Sequence, residues 1–322
     1  MVHRGTPVIT FSTIQILRFI SALLVMFHHL EITRSGNRGV YIFFVISGFV
    51  MYNKLFSTDR PAAFYFFTNR LTKIFFLYWM ALVLLYIVAP FKLDASVIKT
   101  ILLVPNHPPW LRVSWSLTFE LYFYFFTGAV VYLLPGNYAR AFFLLYLIAC
   151  SITVTLYLSG QIEIKGSPIN FLLGKHTWDF LLGLLSGYLS NIIFRSIKVS
   201  IVVPACLVGF VLLSVAFIYP SDNLLSVFME GIVPMALVCF STAYESRLAL
   251  PKKIAFFFNK LGDASYAIYL FAPVAGVIIP GRSIADKVII IISTIGFSVL
   301  INQAIENKAL HYLRKRIYRL SI

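Results

Sequence analysis

Apolar runs of roughly 20 residues recur along this chain, and they leave it few options. A run of that length spans the ~30 Å hydrocarbon core of a bilayer as an α-helix. Such runs lie at about residues 11–32, 40–56, 74–91, 115–134, 141–158, 178–194, 201–219, 224–243, 266–279 and 288–305. The ninth is short by itself. Of the 322 residues, 60% are hydrophobic and only 12% charged, half of what a soluble protein carries at about 25%. The expected fold is therefore all-α, a polytopic membrane helical bundle of about ten transmembrane helices. No Pro/Gly/Ser linker and no soluble stretch of domain length breaks the series, so residues 1–322 read as a single integral-membrane domain.

An even number of spans places both termini on one side, and the basic residues choose which. Of the 27 Lys and Arg, 17 fall in the termini and the loops on the same side, and nine fall in the opposite loops. The positive-inside rule then sets both termini in the cytoplasm. The first segment follows a short basic start, His3 and Arg4, but no small-residue cleavage site comes after it. It reads as a retained span rather than a signal peptide. The basic, amphipathic tail HYLRKRIYRL is expected to lie on the inner leaflet, drawn by anionic lipid.

A net charge of +15 would suggest nucleic acid in a soluble protein. Here the cations sit in loops, and no basic run carries the interleaved aromatics of a nucleic-acid surface. The three cysteines, Cys150, Cys206 and Cys239, each lie in an apolar segment without metal-ligand spacing. No metal site and no permanently bound cofactor is expected.

The chemistry concentrates first in the stretch from Gln15 to His29. Arg18 and His29 are 11 steps apart, about 16 Å along a helix axis. At about 100° per step, three turns bring His29 back to nearly the face of Arg18. His28 points about 100° away. Ionisable groups inside a spanning segment cost at least ~2–3 kcal/mol and signal function. The alternative is that Arg18 snorkels to one interface and the histidine pair marks the other.

Three further segments add to this. Ser47 and Gly48 are small residues in the second run, read as letting it pack against the first. Arg70 and Lys73 are three apart and share a helical face, a pattern suited to phosphate. An ordinary positive-inside anchor followed by the aromatic pair Tyr78 and Trp79 would look the same. Glu120 lies about one turn into the fourth run, in SWSLTFELYFY, and needs a partner there. His29 could be oriented by it, or hydroxyls such as Ser116 could cap it. Asp179 and Glu230 are acidic residues near spans that could line a cavity. Asp263, ahead of the ninth run, reads as a residue of a helix N-cap region with no chemistry.

Taken in order, RFISALLVMFHH, GVYIFFVISGF, RLTKIFFLYW, SWSLTFELYFY and LGDASYAIYL resemble the acyltransferase-3 family of integral-membrane acyl transferases. The family's Arg-x10-His pattern falls on Arg18 and His29. Its Arg-x-x-Arg pattern falls on Arg70 and Lys73, with Lys in the second place. Its SWSL-x-x-E pattern falls on Ser114 to Glu120. The chain departs from the family at Phe76, Ala272 and the segment Glu306 to Lys308.

The resemblance implies a multi-pass protein of the bacterial inner membrane. It would move an acyl group, most often acetyl, from cytoplasmic acyl-CoA to a hydroxyl of a cell-envelope polysaccharide or lipid-linked glycan. His29 and Glu120 would be the catalytic pair. Arg18, Arg70 and Lys73 would hold the acyl-CoA donor, and His28, Trp115 and Ser116 would line the substrate site. The implied partners are acyl-CoA, the glycan acceptor and the bilayer, with no nucleic acid. A transporter or flippase for an envelope precursor is the competing class, since many spans, intramembrane charge and a basic inner face would suit one.

Overall fold

A computed structural model describes residues 12–33, 35–56, 60–90, 96–105, 109–134, 136–164, 167–196, 224–243, 245, 251–279 and 283–303. The described residues form helices and connecting turns, with no strand among them. The α-helices are α1 (Ser12–His29), α2 (Gly39–Leu55), α3 (Arg60–Val88) and α4 (Ser96–Ile101). Then come α5 (Trp115–Leu133), α6 (Gly136–Leu158), α7 (Pro168–Leu173) and α8 (Lys175–Ser196). The last three described are α9 (Leu224–Ala243), α10 (Lys252–Ile278) and α11 (Ile284–Ile301).

The all-α membrane bundle expected from the apolar runs is what forms. Among the described residues six helical stretches are long and apolar enough to cross a membrane: Ser12–His29, Phe67–Val88, Arg112–Leu133, Gly136–Leu158, Lys252–Ile278 and Ile284–Ile301. That is fewer than the ten expected. Helix α2 has 17 residues and falls just short in length. The run at 201–219 and the C-terminal tail lie outside the described residues.

The ninth run is corrected upward. It is the second half of α10, a helix of 27 residues that begins just after Pro251. Proline fits ahead of the first turn, where no intrahelical N–H is needed. Nothing in KKIAFFFNKLGDASY breaks the helix before the apolar run. Asp263 is consequently mid-helix and not at an N-cap.

Helix α2 is the hub. It packs against α8 most extensively, and also against α1, α9, α5 and α3. Lipid supplies no hydrophobic force between helices, so close approach rests on small residues. Gly48 of α2 and Gly183 of α8 face each other: a Cβ on Gly48 would stand 2.1 Å from the Phe180 carbonyl oxygen, and one on Gly183 would stand 2.1 Å from that of Val45. The small-residue reading of Gly48 thus holds, but its partner is α8 and not the first span. Between α1 and α2 a glycine gives close approach near their junction, where Gly39 lies against the Ser21 carbonyl.

Helix α1 packs chiefly on α10. Gly262 lets Gln15 come close enough for its side-chain amide to donate to Asp263 Oδ1 at 2.7 Å. The first turn of α1 has no acidic residue of its own. Glu245 supplies one: its carboxylate accepts from the Ser12 N–H at 2.7 Å and the Thr13 N–H at 3.2 Å. Two of the four orphan donors of a helix start are satisfied by one anion at the positive end of the dipole.

Candidate active site

Helices α1, α2, α3, α5 and α10 enclose a narrow cleft of about 40 Å³, room for a few water molecules. Arg18, Arg70, Lys73, Glu120 and Ser116 all line it, together with Ser47. Six of the residues singled out from the sequence therefore converge, although more than 100 positions separate Arg18 from Glu120. The α-helical period explains part of this. Arg70 and Lys73, three apart, present one face of α3, and Ser116 and Glu120, four apart, present one face of α5.

Glu120 is held by hydroxyls. Ser47 Oγ of α2 donates to its Oε1 at 3.3 Å, and Tyr124, one turn later on α5, donates to the same oxygen. The Tyr124 ring is in turn 5.7 Å from the Arg70 guanidinium carbon, within reach of a cation–π attraction. Arg18 lies within electrostatic range of Arg70, Asp263, Tyr124 and Glu120. The cleft is thus a cationic pocket with one carboxylate in it. A low-dielectric wall of aromatic and aliphatic side chains strengthens every charge interaction inside.

Asp263 also serves the cleft. Its main-chain carbonyl accepts from Lys73 Nζ at 3.4 Å and from Asn302 Nδ2 at 2.9 Å, while its carboxylate takes Gln15. One residue of α10 thus ties α1, α3 and the end of α11 around the cleft. The sequence reading gave it no role. Two tyrosines of the same helix were also missed. Tyr266 donates to the Ile74 carbonyl at 3.4 Å, and Tyr269 donates to the Val113 carbonyl at 2.6 Å and sits 2.8 Å from Ser116 Oγ. Their spacing of three and their place in SYAIYL, on one face of a helix, were the available signal.

The histidines lie elsewhere. His29 ends α1 and is exposed. Its ring meets that of His28 edge-on, with centroids 5.6 Å apart. His28 is half-buried, its Cβ against Gly36, and its Nδ1 is buried without a hydrogen-bond partner. The expected contact between His29 and Glu120 is not made. The rise of α1 puts His29 about 16 Å above Arg18, and Glu120 belongs to the Arg18 level. Nor is Ser116 the cap of Glu120, because its hydroxyl goes to the Val113 carbonyl at 3.2 Å and to Tyr269.

Trp115, expected to line the substrate site, faces the other side of α5. With Phe119, one turn on, it packs against the His176 ring at 4.8 Å and 4.9 Å. Phe44 also touches that ring, at 5.3 Å, and lines the cleft as well, so an aromatic wall one side chain thick separates the two regions. Beyond the wall is a second charged group. Arg38 Nε pairs with Glu230 Oε1 at 2.7 Å. Lys175 Nζ reaches Glu230 Oε2 at 3.1 Å and Asp179 Oδ2 at 3.6 Å, and lies 3.2 Å from the centroid of the Tyr41 ring. Asp179 and Glu230 were candidate cavity residues. They neutralise two cations drawn from the α1–α2 turn and α8. Among the described residues no group of His, Cys, Asp and Glu has the arrangement of a metal site.

Residues 11–304 match the acyltransferase domain family, acyltransferase-3, over nearly the whole chain. The chain belongs to that family, and it is a multi-pass membrane acyltransferase. No curated protein and no solved structure matches it.

Proposed function

We propose that this acyltransferase takes an acyl group, acetyl in the simplest case, from acyl-CoA on the cytoplasmic side and delivers it to a hydroxyl of a cell-envelope polysaccharide or lipid-linked glycan. What supports the reading is the convergence of Arg18, Arg70 and Lys73 on one cleft beside Glu120. Three cations from two helices match the phosphate-rich head of a coenzyme A ester, the arginines by fork and the lysine as a point charge. The cleft is too small for the donor as it stands. Donor binding therefore requires α3 or α10 to give way, and the Lys73 and Tyr266 contacts between them are the ones that yield.

His29 is the general base of the proposal. It abstracts the proton of the acceptor hydroxyl as the oxygen attacks the thioester carbonyl, and the CoA thiolate leaves and takes up a proton. Base and cation pocket are about 16 Å apart on one helix, so the uncharged arm between donor head and thioester spans that distance. Glu120 does not orient His29. It is the counter-charge of the cation pocket, offsetting the repulsion between Arg18 and Arg70. Both termini are assigned to the cytoplasm on the charge distribution, in a bacterial inner membrane.

The test is purified protein in lipid nanodiscs, given acyl-CoA labelled on the acyl carbon. Transfer of label to added envelope glycan with release of free CoA supports the reading. Label that crosses a proteoliposome membrane with the thioester intact would replace it with transport. Mass and NMR analysis of envelope glycan from cells with and without the gene identifies the acceptor.

A further inference from the structure

A second cavity, far larger than the first, opens on the flank of the bundle between α2, α6 and α8. It has a volume of about 330 Å³ and is walled by Leu147, Leu181, Leu184 and Phe143. Leu144 and Tyr188, both exposed, form its lip. Among the described residues that line it, the ionisable ones are Arg140 and two tyrosines. It shares no lining residue with the Arg18 cleft.

What can reach this groove is set by the surface around it. Helix α6 presents Leu144, Leu145, Ile148 and Ile152 outward, 48–66% exposed, in a span of mean hydropathy 2.2. In a membrane-spanning helix such a face meets lipid, so the opening beside it admits hydrocarbon. Arg140 stands at one end of the groove. It is in the first two turns of α6, whose 23 residues cover about 34 Å and so place those turns at headgroup depth. Arg140 is exposed, and no carboxylate pairs with it among the described residues. Its neighbours are the Asn137 side-chain oxygen at 3.3 Å, the Tyr52 hydroxyl and the face of Phe56 at 5.6 Å. Those contacts fix its direction and leave donors of the guanidinium fork free for an anion.

We infer that this groove is a binding site for an anionic phospholipid of the surrounding leaflet. The phosphate is held by the Arg140 fork, with Asn137 beside it, and one acyl chain lies along Leu147, Leu181 and Leu184. The site is independent of the acyl-transfer reading. Charge, depth and shape each select the same occupant: a fixed cation in the headgroup layer, continuous with an apolar channel open only to the bilayer.

The full chain is reconstituted in vesicles of equal phosphatidylglycerol and phosphatidylcholine, extracted gently, and examined by native mass spectrometry for retained lipid. The wild type should keep phosphatidylglycerol over phosphatidylcholine. Arg140→Gln should lower phosphatidylglycerol retention about tenfold, the loss expected for one charge-assisted contact, without changing phosphatidylcholine. Leu144→Trp, at the exposed lip, should block both lipids, and Arg140→Lys should restore part of the preference. Acyl-transfer activity in the same variants is a separate readout, so failure of either idea is visible alone. Equal retention by wild type, Arg140→Gln and Leu144→Trp would overturn the site. So would co-purification of a polyprenyl phosphate, a free fatty acid or acyl-CoA in place of phospholipid.

Discussion

Glu120 and Tyr124, one turn apart on α5, are joined by a hydrogen bond from the phenol to the carboxylate, and the same phenol ring faces Arg70 of α3. Through this pair the carboxylate lining the cleft is linked to a cation of α3. A hydrogen bond to a charged acceptor is worth about 1.5–3 kcal/mol. Tyr124→Phe keeps the ring and removes the donor. It should lower the transfer rate roughly ten- to a hundredfold while leaving yield and monodispersity intact. Ser47→Ala should cost less, since its bond is long at 3.3 Å. Steady-state kinetics on both variants checks the order.

The two cations of α3 should act on the donor. Replacing Arg70 and Lys73 together with Gln is expected to raise the KM for acyl-CoA by roughly ten- to a hundredfold, the scale of one lost charge-assisted contact. Membrane insertion should be unchanged. Binding of an unreactive thioether analogue of acyl-CoA, measured by calorimetry, is the check. Unaltered affinity would leave them as interfacial anchors.

His29 and His28 are separated by one step of helix and by very different surroundings. Loss of a general base costs ~10²–10⁴ in rate, so His29→Ala should abolish detectable transfer at normal expression. His28→Ala should keep most of its activity and lose some stability, because that side chain is half-buried. The sign with pH follows from the role. A base must be neutral, so the rate should fall as pH drops far enough to protonate the imidazole. A dead His28→Ala beside an active His29→Ala would reverse the assignment.

The Arg38–Glu230–Lys175–Asp179 group should be structural. Arg38 and Glu230 are only 5% and 3% exposed. Glu230→Gln leaves two buried cations with one carboxylate between them, and breaking a buried pair costs about 3–5 kcal/mol. The expected outcome is a large drop in melting temperature of the detergent-solubilised protein. Lys175→Met should destabilise too: Arg38 would still neutralise Glu230, but Asp179, 0% exposed, would lose its Lys175 partner.

Glycine positions give a paired test of the helix contacts. A methyl at Gly48 or Gly183 meets backbone at 2.1 Å, which a rotamer change cannot relieve. Each Ala variant should lose at least the ~1–3 kcal/mol of an overpacked core. Gly276 of α10 has open space around it, and Gly276→Ala should stabilise by about 0.5–1 kcal/mol. Fluorescence-detected size exclusion after a heat step separates the two.

Local periodicity by itself determined that the chain forms an all-α membrane bundle, that Arg70 with Lys73 share one face, and that the Arg18 helix ends in the histidine pair. Those properties depend only on runs of apolar residues and on 3.6 residues per turn. The bond from Tyr124 to Glu120 was within that reach too, as an i,i+4 pair. Tertiary structure alone decided the rest. It put Glu120 beside Ser47 and Tyr124 and not beside His29, joined Asp179 and Glu230 to Lys175 and Arg38, and made α8 the partner of Gly48. It also made Asp263 a mid-helix tie, because α10 runs back to Lys252. The physical reason is that helices in a bilayer gain no hydrophobic energy by meeting one another. Their neighbours and rotations are chosen by close packing at small residues and by the pairing of buried polar groups, and neither choice is written in the period of a single helix.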